Sequence, residues 1–221
     1  IDVIVGGHSH TRLAKSIKTN AAIIVQAGEK AKFVGRLDLT VDTDENKVLD
    51  HKWRLIPIPV ADLPPDPSVL ALVTKWEDKV AEQMDQVIGK TDRFLNTEQL
   101  RILIGRIWRE TYDTDYGFQN PGGTRAPIPE GDILVRHIWN SLPFANTIWI
   151  IQMNRQQVTD EVGITAFAQD KDLYTVATNS YIGERIVDKY TIPEDRVRKI
   201  NVSHRDPVIE YIKKHGAIDP E

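Results

Sequence analysis

The sequence of 221 residues contains no cysteine. Disulfide frameworks, thiolate zinc centres and cysteine nucleophiles are excluded together. The compartment is not fixed by that absence, because disulfide-free proteins work on either side of a membrane. A basic excess is missing too: 28 Lys and Arg stand against 32 Asp and Glu, a net charge of -4. No nucleic-acid polymer is therefore expected as a partner, although a small anion held by a few local cations is compatible with that balance. No apolar stretch approaches the roughly 18 residues that a membrane-spanning helix needs, and there is no internal repeat or low-complexity tract. What is present, 41% hydrophobic and 27% charged residues, is an ordinary globular balance, enough for one large core or two small ones. The chain opens on Ile1 rather than methionine, already inside a strand-like run, which predicts a processed or partial chain whose upstream part is missing.

Ile1 to Val5 is nearly all branched and apolar, as in a strand buried on both faces, and Gly6-Gly7 ends it. Ala21 to Gln26, Phe33 to Asp42 and Lys47 to Ile58 read as further strands. The breakers in VADLPPDPS then lead into a helix with apolar positions at Leu70, Val73, Trp76, Val80, Met84 and Val87. Beyond Gly89, helices are expected at Leu100 to Tyr112, Leu134 to Ser141, Gln156 to Gly163, Gly183 to Tyr190 and Pro207 to Lys214. Strands are expected at Asn146 to Met153 and Leu173 to Asn179. The organisation predicted is the C-terminal edge of a sheet domain (1–62), a linking helix (63–89) and a complete α/β domain (90–221).

Two stretches carry chemistry. In GGHSH, glycines after a strand allow a tight turn, and His8 and His10 at i and i+2 can face one metal or one each of a pair. Two imidazoles do not close a site alone, and His51, His137, His204 and His215 are scattered. The plain alternative is two unliganded surface-loop histidines. In NPGGTRAPIPEGDI, Gly122 and Gly123 permit positive φ and N–H groups aimed at an anion, and Arg125 offers a fork of donors that matches phosphate. Asn120 both donates and accepts, which suits the edge of a base. Phe144, at a helix end, and Tyr181, at a strand end, could sandwich a flat ring. The alternative is a glycine-proline hairpin with one solvated arginine and two aromatics that fill the core. His137 and Trp139 are expected to pack, and His204 and His215 to face solvent.

Taken together and in this order, DVIVGGHSHT, GRLDLTVD, NPGGTRAPIPEGDI and LPFANT resemble the 5'-nucleotidase family of dinuclear metallophosphoesterases, over essentially the whole chain. The resemblance implies the end of a metallophosphoesterase β-sandwich domain, a linking helix, then a mixed α/β C-terminal nucleotide-binding domain. It implies that His8 binds one metal and that His10 stands where relatives carry a ligand to the other. Two divalent ions, zinc or manganese, are implied for the intact parent protein. Arg125 would hold phosphate, Asn120 would meet the base, Phe144 and Tyr181 would cover its faces, and Gly122 and Gly123 would shape the loop. The substrate class implied is a nucleoside monophosphate or related small phosphoester, in nucleotide catabolism, in the periplasm or outside the cell. The family's D-x-H, G-D-x-x-D and G-N-H-[DE] motifs are absent here. This chain alone is therefore expected to be inactive, with no catalytic residue of its own and an N-terminal metallophosphoesterase part required. The family's R-E-x-x-x-G-N-L-I segment is replaced by LNTEQLRILI, with Arg101 nearby, and its G-G-D-G run by YIGERIVD. A non-catalytic nucleotide-binding module, and a hydrolase of another phosphoester or a sulfur ester, are the competing expectations.

Overall fold

A computed structural model describes residues 1–20, 22–59 and 63–219. Ala21, the expected start of one strand, and residues 60–62, in the expected breaker run, lie outside the described residues, as do Pro220 and Glu221. The chain divides into two compact units, Ile1–Leu72 and Val73–Glu221, and the division falls inside helix α1, Pro67–Met84.

In the first unit, strands β1 (Val3–Val5), β2 (Ile17–Thr19) and β3 (Ala22–Val25) form a sheet of order β1-β3-β2. β1 runs parallel to β3, and β2 antiparallel. A long hairpin follows, β4 (Phe33–Asp42) and β5 (Lys47–Pro57). The Asp42 carboxylate accepts from the N–H groups of Asp44 and Glu45 to make its turn. The expectation that the first strand is buried on both faces is not met: Ile4 and Val5 are exposed, because among the described residues only β3 pairs with β1.

The core of the second unit lies in a four-stranded mixed sheet and the helices packed on it. β7 (Tyr116–Phe118), β9 (Thr147–Met153), β10 (Tyr174–Asn179) and β11 (Val197–Ser203) take the order β11-β9-β10-β7, and the short strands β6 (Val87–Thr91) and β8 (Gly131–Leu134) pair with each other in a separate two-stranded sheet. β9 reads TIWIIQM and is buried along nearly its whole length, as a strand covered on both faces should be. Val87, expected at the end of the linking helix, instead opens β6, since α1 ends at Met84.

Helix α2 (Thr97–Tyr112) presents Leu100, Leu103, Ile104, Ile107 and Trp108 to the core at i, i+3, i+4, i+7 and i+8. It begins three residues before its first apolar position, because Asn96 caps the N–H groups of Glu98 and Gln99 while the Gln99 side chain returns to the Asn96 N–H. Four more helices complete the unit: α3 (Val135–Ser141), α4 (Arg155–Val162), α5 (Ser180–Tyr190) and α6 (Asp206–His215). Strands β6, β7, β8 and β11 escape the sequence pattern for two reasons. Three of them have five residues or fewer, and the fourth, VRKINVS, mixes charge with its apolar positions as a sheet edge does. No described helix is long and apolar enough to cross a membrane.

Candidate nucleotide-binding site

The NPGG stretch forms one 3-10 turn, Pro121–Gly123, entered through Asn120 and with proline at its first position. Neither Gly122 nor Gly123 takes a positive φ. The expected row of free N–H groups is also reduced: Gly123 N–H donates to Asn120 O at 3.0 Å and Thr124 N–H to Pro121 O at 3.3 Å. At 123 any larger residue would push on the ends of two neighbouring side chains. A Cβ there would stand 2.5 Å from Gln119 Nε2 and 2.7 Å from Asn120 Oδ1.

Below the turn lies a polar knot that the sequence did not announce. Buried Asn179, at the end of β10, donates from Nδ2 to Gln119 Oε1 at 2.7 Å and to Asn120 Oδ1 at 2.9 Å. Its Oδ1 accepts from Ile182 N–H at 3.0 Å, capping α5. One side chain thus sets the Asn120 amide and starts the helix that carries Tyr181. Tyr181 stands in the first turn of α5, not at a strand end as expected, because this cap starts the helix at Ser180, three residues before Gly183. The signal was present as an Asn before a helical run in TNSY.

The second wall is the loop after α3. Thr147 N–H donates to Ser180 Oγ at 3.2 Å, tying that loop to the first residue of α5. Phe144 is 44% exposed and Tyr181 53%, so neither ring plugs the core. The Arg125 guanidinium carbon lies 6.0 Å from the Phe144 ring centroid, its Nη1 donates to Gly122 O at 3.4 Å, and its backbone N–H donates to Ser141 O at 2.8 Å. Arg185, one turn beyond Tyr181, stands 5.9 Å from that ring. Asn120, Gly122, Gly123 and Arg125 therefore lie in and beside one turn. Phe144 and Tyr181 sit on segments joined to each other, and Tyr181's helix is joined to Asn120 through Asn179. Arg101 reaches the same region with Nη1 on Gln119 O at 3.1 Å, but its other nitrogens are engaged by Glu98, which holds the guanidinium above its ordinary pKa.

His204 corrects an expectation. It is buried, its Nε2 facing Phe144 O at 3.0 Å, with its ring tilted against Trp108. Burial foremost, and then the charge of Arg205, pull its pKa down to about 4. The unfolded imidazole binds a proton near pH 6.5 and the folded one resists it. The stability this gives is complete above the unfolded value and is lost as pH falls through the window from about 6.5 to about 4. Urea titrations at pH 7 and pH 4.5 should differ by a His204 contribution of up to about 3 kcal/mol, absent in His204→Gln. Equal pH dependence in both proteins would show that His204 is not buried neutral. His215 is exposed as expected. His137 Nδ1 accepts from Leu134 N–H at 3.1 Å, and Trp139 meets the Arg205 guanidinium at 4.0 Å, so both take packing parts.

In the first unit His8 and His10 both lie at φ 58, in the left-handed region. The intervening Ser9 hydroxyl meets the buried Gln26 amide at 3.0 Å. His10 Nδ1 faces Glu29 Oε2 at 2.8 Å, and no cluster of three or more His, Cys, Asp or Glu side chains able to hold a metal exists among the described residues. The residues present do not by themselves fit an ion.

Comparison with known proteins bears on this geometry. Residues 81–163 match the model of the 5'-nucleotidase C-terminal domain. The trifunctional nucleotide phosphoesterase protein of Bacillus subtilis is 25% identical over 216 residues, covering 85% of this chain and 15% of that protein. The 5'-nucleotidase of Vibrio cholerae is 26% identical over 209 residues, covering 75% and 37%. The chain thus spans less than half the length of these curated relatives. Among solved structures, a 5'-nucleotidase precursor from Thermus thermophilus superposes with a TM-score of 0.77 at 21% identity, over 99% of this chain and 57% of that one, which is agreement of fold. The mixed α/β expectation holds. Residues 81–163 are thus similar to the 5'-nucleotidase C-terminal domain, and the fold of the chain agrees with that of a solved 5'-nucleotidase precursor.

Proposed function

We propose that the chain is the substrate-binding part of a metal-dependent phosphohydrolase acting on nucleoside monophosphates, in nucleotide catabolism in the periplasm or outside the cell. The observation that carries this reading is the convergence, through Asn179 and Ser180, of the turn entered at Asn120 and followed by Arg125 with two exposed aromatic rings. Asn120 reads the base edge, Phe144 and Tyr181 cover its faces, Arg125 meets the phosphate, and Gly122 and Gly123 keep the turn low enough for approach. Residues 1–62 close a metallophosphoesterase domain, 63–89 link, and 90–221 bind the nucleotide. His8 and His10 are two ligands of a two-metal centre whose other ligands come from an N-terminal metallophosphoesterase part outside this chain. Two divalent ions held there would supply an activated water and neutralise phosphoryl charge. This chain's own residues bind and orient the substrate, and the chain alone does not hydrolyse it.

A second reading, a nucleotide-binding module without hydrolysis, is favoured by Arg101, whose guanidinium is spent on Glu98 and Gln119 O rather than offered to a ligand. Calorimetric titration of the chain with adenosine monophosphate tests the site shared by both readings. Saturable binding is expected, weakened by roughly 1 to 3 kcal/mol in Phe144→Ala through loss of one stacking face. Equal heats for the two proteins would remove Phe144 from the site. Metal-dependent phosphate release by this chain alone would overturn its proposed inactivity.

A further inference from the structure

Arg205 is 6% exposed, and no carboxylate lies within ion-pair distance of it among the described residues. A buried guanidinium is costly unless its donors and its charge are used. Here they are used on one short loop: Nε donates to Leu142 O at 2.7 Å and Nη2 to Phe144 O at 2.6 Å, while the guanidinium lies 4.0 Å from the Trp139 ring centroid. His204 joins from the preceding position, its Nε2 3.0 Å from the same Phe144 O and its backbone N–H on Asn146 O at 3.1 Å. Trp108 Nε1 in turn holds His204 O at 3.1 Å, so the grip is anchored in the core of α2.

We propose that Arg205, assisted by His204, is a positioning residue that clamps the carbonyls on either side of Pro143 and so fixes the exposed Phe144 ring for stacking on a nucleobase. Three polar atoms converge on two carbonyls of a loop whose only large exposed side chain is Phe144. Neither residue touches the ligand in this arrangement. The planar fork is the essential part, because two carbonyls two residues apart are bridged by one rigid group, whereas an ammonium is a single point of charge. The base-stacking consequence rests on the proposed function, while the clamp itself is a property of the loop.

The test places 4-fluorophenylalanine at position 144, and separately at Phe167 as a control in the Tyr116 and Tyr174 cluster. Fluorine NMR without ligand is followed by calorimetry with adenosine, in the full chain and in Arg205→Ala and Arg205→Lys. The clamp predicts that in Arg205→Ala the resonance at 144 moves toward that of the free amino acid while the one at 167 stays. It also predicts that adenosine binding weakens at least fivefold, with Arg205→Lys intermediate in both. An unchanged line at 144 in Arg205→Ala, or in Arg205→Lys should the alanine variant fail to fold, overturns the clamp. A shifted line with unchanged adenosine affinity overturns the link to stacking. If the parent chain binds no adenosine, the nucleoside reading falls, and the fluorine line alone still decides the clamp.

Discussion

Gly117→Ala is expected to unfold the second unit at far lower urea than the parent chain, with a loss of about 3 kcal/mol or more, beyond ordinary overpacking. A Cβ built at Gly117 would lie 1.8 Å from Gly105 O and 2.8 Å from Gly105 C, both backbone atoms of α2. The reciprocal Cβ at Gly105 would lie 2.7 Å from Gly117 O. Helix and strand therefore meet backbone to backbone, and no rotamer change can relieve the clash. β7 would have to move away, and with it Phe118 O, which accepts from Thr178 Oγ1 at 2.8 Å, and Gln119, which belongs to the polar knot. Gly122→Ala is the control, because its Cβ would meet nothing closer than Asn120 Nδ2 at 3.6 Å, and a change within about 0.5 kcal/mol is expected. Similar urea midpoints for Gly117→Ala and the parent would show that α2 and β7 do not approach this closely.

The second large effect is at Asn179. Alanine there removes the cap of α5 and leaves Gln119 Oε1 and Asn120 Oδ1 without the donor they share. Losing a cap costs about 1 kcal/mol, and a buried acceptor left unpaired about 1 to 3 kcal/mol, so a loss of roughly 2 to 4 kcal/mol is expected. Asn179→Asp separates the two parts. The carboxylate keeps an oxygen for the Ile182 N–H but turns a second one toward two acceptors. It should be no more stable than alanine by thermal or urea unfolding. Recovery of parental stability with aspartate would mean that the amide donors do not hold the turn.

How much of this was legible can be followed residue by residue. The helices with a clear apolar stripe and the buried run TIWIIQM were readable, because their periodicity records which face is covered. The grouping of Asn120, Gly122, Gly123 and Arg125 was given by adjacency. What joins that turn to Tyr181 was not, since Asn179 acts across a separation of 59 residues from Asn120 and resembles any other asparagine at the end of a strand. His204 was misread for a related reason. A histidine among SHRDP looks solvated until tertiary packing places Trp108 on one side and the Phe144 carbonyl on the other. The positive φ expected of Gly122 and Gly123 is found at neither; at Gly123 the close neighbours are side-chain atoms of Gln119 and Asn120, at Gly122 there is room for a Cβ, and only coordinates distinguish these cases.

The loop from Asn120 to Gly131 is fastened at its far end as well. Leu95 and Ile128, both buried, exchange N–H donations with each other's carbonyls at 2.9 and 3.0 Å, and Ser141 Oγ donates to Ala126 O at 2.8 Å. A segment rich in glycine and proline is thus stitched to the core before any ligand arrives. Its backbone freedom is surrendered during folding, so a bound molecule has no loop to order. On the proposed reading, association with such a surface is governed by fit to a shape that already exists, and selectivity rests on how well a ligand matches Arg125 and two exposed rings already held in place.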